Sequence, residues 1–72
     1  MKLEYREWTI NSRPEKKGHH WHAWVEVERG PSEDQDGWQI FHFTDIGYFD
    51  TEAAAVERGI AWAQSWLSSN YG

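Results

Sequence analysis

The 72-residue chain contains no cysteine, which removes disulfides and thiolate metal sites from consideration at once. It has no apolar run approaching the roughly 18 residues of a membrane span, so no membrane partner is expected. The N-terminal stretch MKLEYREWTI turns polar immediately and lacks the apolar core of a secretory signal, which leads us to expect a cytoplasmic protein. An excess of basic charge is missing too. Seven Lys and Arg stand against twelve Asp and Glu, and the net charge of −5 has the wrong sign for broad binding to phosphate backbones. There is no glycine-rich phosphate loop, no G-x-S-x-G and no H-E-x-x-H. With no catalytic constellation and no room for a second layer to build a pocket, we expect neither an enzyme nor a cofactor.

What the chain has in quantity is aromatic side chains: six Trp, three Tyr and three Phe. A chain of this length forms one domain, residues 1–72, and buries only about 60% of its unfolded surface. Each large ring buries roughly 150–250 Å², so a few of them can build a core from few residues.

Three segments read as strands. Leu3 to Asn11 is rich in strand formers, but its apolar phase switches between Tyr5 and Trp8. A bulge near Arg6-Glu7, or cover on both faces, would reconcile the halves. Pro14 and Gly18 bracket a loop. In HHWHAWVEVERG, Trp21, Ala23, Val25 and Val27 share one phase, and His20, His22, Trp24, Glu26 and Glu28 share the other. After the polar loop RGPSEDQDG comes Trp38 to Thr44, with Phe41 and Phe43 on one side and Trp38, Ile40 and His42 on the other. A hairpin joining the second and third strands sets Ala23 against Phe43, Val25 against Phe41 and Trp24 against His42.

Asp45 and Gly47 suit a tight turn, Phe49 a core plug, and Asp50 or Thr51 a helix cap. From Glu52 to about Ser68 the pattern is helical. Ala53, Val56, Ile60, Ala63 and Leu67 form one stripe, with Ala55, Gly59, Trp62 and Trp66 beside it. Gly59 costs up to about 1 kcal/mol of helix propensity, tolerable where it admits a close contact. The tail SSNYG is expected to fray.

The expected fold class is therefore α+β: a three-stranded antiparallel sheet near 3–11, 20–28 and 38–44, with one C-terminal helix on one face, in the order βββα. A single helix covers only one side of a sheet. The uncovered side carries His22, Trp24, Trp38, Ile40 and His42, joined by Trp8 and Ile10 if the first strand continues in phase. Such an aromatic sheet face suits contact with another protein or with a second copy of the chain. It also suits base stacking, which makes a nucleic-acid-binding module the alternative. The plainer account is that cross-strand rings stiffen a small sheet, at about 0.2–1 kcal/mol per pair. A fold of strand one, or of the tail at Tyr71, over these rings would leave no patch.

Two further groupings resemble metal sites. His20, His22 and His42 have a spacing zinc or nickel could use, but no fourth protein ligand is evident. Asp34, Asp36 and Gly37 echo part of a calcium loop whose remaining ligands are missing. No metal is expected at either place.

The stretch GYFDTEAAAVERGIAWAQSWL, residues 47–67, resembles a recurring ending of small uncharacterised proteobacterial proteins, G-x-F-x-T followed by an alanine-rich helix and W-A-x-x-W. Gly47, Phe49, Thr51, Ala54, Gly59, Ile60, Trp62, Ala63, Trp66 and Leu67 occupy the matching places. The order of elements is similar to that of HicB-type antitoxins and, without its first helix, to the double-stranded RNA-binding domain. These resemblances imply a fold and assign no chemistry to a residue.

Overall fold

The computed structural model describes residues 1–33 and 36–71; Asp34, considered above as part of a calcium loop, lies outside the described residues. The chain runs through β1 (Lys2–Tyr5), β2 (Trp8–Ser12), β3 (Glu15–Lys17), β4 (His20–Arg29) and β5 (Gln39–Phe49) into α1 (Glu52–Tyr71). It is an α+β fold with an antiparallel sheet and one C-terminal helix, but among the described residues the sheet has five strands where three were expected.

The first extra strand comes from the phase switch in Leu3–Asn11. It marks a hairpin, neither a bulge nor a doubly covered strand: Tyr5 pairs with Trp8 and Lys2 with Asn11. Arg6, first residue of the two-residue turn, has φ 59°, a conformation that hairpins normally give to glycine. The next tight turn, between Lys17 and His20, places Gly18 in the corresponding position at φ 64°.

The second extra strand is β3, in the segment read as a loop. β2 and β3 lie end to end along one edge of β4, with Ser12 opposite Val25 and Glu15 opposite His22. The Arg13 amide donates to the Trp24 carbonyl at 2.9 Å and carries the ladder across the junction. Pro14 sits at that junction, where alternation from Arg13 turns its main-chain nitrogen away from β4, so the missing N–H costs the ladder nothing.

On the other side of β4, β5 runs its full length. Val25 faces Phe43, Glu26 faces His42 and Val27 faces Phe41, a shift of two residues from the expected register. An even shift preserves the faces, so the valines and phenylalanines still share one side. The expected tight turn at Asp45 and Gly47 is instead a bulge inside β5. Pairing resumes with Gly47 opposite Ala23 and Phe49 opposite Trp21, and Gly47 takes φ 132°, a value natural to glycine.

The helix starts where Thr51 Oγ1 accepts from the Ala54 amide at 3.1 Å, with Glu52 in the first turn. Its buried line is Ala55, Gly59, Ala63 and Leu67, while Ala53 is exposed and Val56 and Ile60 are half-buried. Small residues at every fourth position let the helix backbone settle onto β2 and β4. The Ser12 hydroxyl, buried in the sheet, donates to the Val56 carbonyl at 3.2 Å.

Trp8, Ile10, Val25, Val27, Ala63 and Leu67 form the core, flanked by Phe41, Phe43, Ile60 and Trp66. Trp8 and Ile10 therefore belong to the helix side of the sheet and are removed from the candidate face. Ser68 to Tyr71, expected in a frayed tail, are helical instead. The helix continues to Tyr71, whose ring packs 5.0 Å from Trp8 and 5.8 Å from Trp66.

Candidate binding face

With the helix on one side, strand alternation assigns the other side to His22, Trp24, Glu26 and Glu28 of β4 and to Ile40, His42 and Tyr48 of β5. Trp38 lies one step before β5, its ring against Gly30: a Cβ there would stand 3.3 Å from the indole. The structure thus brings His22, Trp24, Trp38, Ile40 and His42 to one face, as a band along β4 and β5 instead of a round patch.

Exposure grades along that band. Trp38 is 66% exposed and Ile40 49%. Trp24 is half-buried, with the Arg13 guanidinium 5.2 Å above its ring and His42 edge-on at 5.9 Å. His42 Nδ1 is 3.3 Å from Glu26 Oε2, its cross-strand neighbour. His22 Nε2 lies 2.6 Å from the Thr44 carbonyl, and since a carbonyl only accepts, Nε2 carries the proton. The His22 ring also stacks on Tyr48 at 4.8 Å, so two neighbours hold it in place.

Tyr48, 61% exposed, went unrecognised in the sequence because its segment reads as a turn. Arg13 was also missed. Only the register of β2 against β4 places its guanidinium over Trp24, and no local pattern marks that contact.

Charge on this face is mixed. Glu15 and Lys17 of β3 pair at 2.8 Å. The Lys17 hydrogen bond and charge hold the Glu15 carboxyl below its usual range, and Glu15 in turn raises the Lys17 ammonium. Glu26 and Glu28 stand between the rings, so a polyanion approaching the face meets carboxylates at its centre.

Among the described residues, no group of three or more His, Asp or Glu side chains is placed to hold a metal ion. His20 approaches Asp50 at 3.9 Å, and His42 turns to Glu26. No helix among the described residues is long and apolar enough to cross a membrane.

No protein-family model, curated protein or solved structure matches the chain.

Proposed function

We propose that the protein is a non-catalytic binding module whose helix-free sheet face contacts another protein. The observation that carries this reading is the pairing of an indole 66% exposed at Trp38 with the adjacent Ile40, also in water, on the side the helix does not cover. Placing that much apolar surface in solvent has a cost, and burial against a partner recovers it. Trp24 and Tyr48, each already braced by a neighbour, offer rings whose ordering costs little more on binding. The carboxylates of Glu26 and Glu28 within the band favour a protein partner over a polyanion.

The test uses the immobilised protein against a lysate of its host, beside the variant Trp38→Ser/Ile40→Ser. Both positions are exposed, so the variant should keep the wild-type melting temperature. The expected outcome is one stoichiometric partner retained by wild type and lost with the variant, then reconstituted from purified components. Equal retention by both, or tight binding of oligonucleotides near physiological salt, would overturn the reading.

A further inference from the structure

We infer that β5 pairs edge to edge with the β5 of a second copy, joining two sheets into one across a two-fold axis. This extends the preceding proposal, resting on it only in taking the β5 side of the molecule as the contact region, and it names both partner and mode.

The direction of the β5 backbone follows from the register. The bond from the Arg13 amide to the Trp24 carbonyl turns Trp24 toward β2 and β3. Alternation then turns Val25 and Val27 toward β5, where Phe43 and Phe41 answer them. Ile40 and His42 consequently direct their amides and carbonyls away from β4, to a side on which no other strand lies among the described residues. These are unpaired main-chain groups in a row, which is what an added strand needs.

The other edges of this sheet are guarded. β1 is four residues long and carries Lys2 and Glu4; β3 is three residues long and reads Glu-Lys-Lys. Short length and charge are the ordinary defences of an edge strand. By contrast, the stretch from Trp38 to Thr44, WQIFHFT, contains no Asp, Glu, Lys, Arg, Pro or Gly. The bulge that would discourage pairing comes only after it, between Phe43 and Gly47.

Charge selects the second copy as the occupant. In a chain of net charge −5, few surfaces can meet their own copy without repulsion, and this neutral stretch is one. An antiparallel pair centred on Phe41 sets Ile40 against the copy's His42 and Trp38 against its Thr44. The uncharged stretch is thereby matched against itself from end to end. The same register carries the copy's Asp36 past Ile46. Ile46 lines a groove of 460 Å³ with Phe49, Arg58, Ala61, Trp62 and Ser65. Arg58 there meets the incoming Asp36, offsetting the nearby Asp45, and symmetry makes the contact twice.

Sedimentation velocity at concentrations up to the order of 1 mM measures the association. A dimer is expected for wild type and for Ile40→Ala, which keeps the edge amide. It should be lost in Ile40→Pro, which removes that amide without touching the ladder to β4. Arg58→Glu should weaken it on the order of tenfold, and Arg58→Glu/Asp36→Arg should restore it. The exchange of the Ile40 and His42 amides should slow as protein concentration rises, a readout that needs no variant. A wild-type monomer throughout the range, or a dimer whose Ile40 and His42 amides exchange at the monomer rate, would overturn the inference. A dimer lost in Trp24→Ala but kept in Ile40→Pro would overturn it too, in favour of contact through the face. Failure of the face proposal itself is read separately, from partner retention by Trp38→Ser/Ile40→Ser.

Discussion

Ser12 and Gly59 meet where the helix crosses the sheet: a Cβ added to Gly59 would stand 2.8 Å from Ser12 Oγ and 3.7 Å from Ser12 Cβ. Ser12 also donates to the Val56 carbonyl, so one serine both fits under the helix and fastens it. Gly59→Ala sets a propensity gain of about 1 kcal/mol against overpacking of about 1–3 kcal/mol. The expected result is a net loss of up to about 2 kcal/mol in urea unfolding. Ser12→Ala/Gly59→Ala removes the oxygen and leaves an ordinary contact, so the double variant should recover part of that loss. An additive cycle would refute the close approach.

Tyr71 is the last residue of the helix, yet its ring packs against Trp8, Phe41 and Trp66. Tyr71→Ala should destabilise the fold by about 1–2 kcal/mol, the scale of one or two ring pairs. An unchanged denaturation midpoint would return this residue to a frayed tail.

Arg6 occupies the position that Gly18 occupies in the following tight turn. The left-handed conformation costs a non-glycine residue about 1–2 kcal/mol, and a glycine there costs about 0.5–1 kcal/mol of unfolded-state entropy. Arg6→Gly should therefore be stabilising by about 0.5 kcal/mol, although it gives up the stacking of Arg6 on Tyr5. The comparison of urea midpoints decides it, and a clear loss of stability would contradict the strain.

The Glu15–Lys17 pair gives the pH dependence a definite sign. Glu15 is held below its ordinary value, so its contribution is present above the unfolded pKa and lost as pH falls through the folded one. Lys17 is raised, so its contribution is present below the unfolded pKa and lost as pH rises through the folded one. The pair contributes across neutral pH and fades at both ends. Because both groups lie in solvent, Glu15→Gln should change the melting temperature at neutral pH within experimental error. A drop as large as that of Tyr71→Ala would show that the pair is better shielded than its position implies.

The face assignment was legible because alternation in β4 and β5 is strict enough to survive a two-residue error in register. That is why the five candidate residues do share one side. The helix start was legible to within one residue, since Asp50 and Thr51 are both caps by residue type; the bond from the Ala54 amide selects Thr51. Strand number was not, because the turn at Arg6-Glu7 violates a local rule: nothing but tertiary pairing indicates an arginine at positive φ. Trp8 and Ile10 were to join the face only if the first strand continued in phase, and the hairpin there changes the phase on which the whole of β2 is counted.

By itself, the sequence determined the class of fold, the start and length of most of the helix, and the apolar face of the central hairpin. These depend on periodicity and on residue type, both properties of short segments. Which tryptophans are buried was decided only by tertiary structure. An indole is equally at home in a core or on a surface, so Trp8 went under the helix and Trp38 into water according to where each strand came to lie. The bulge in β5, and the place of β5 at the side of the sheet, were decided in the same way, because a strand becomes an edge only through its position in the finished sheet.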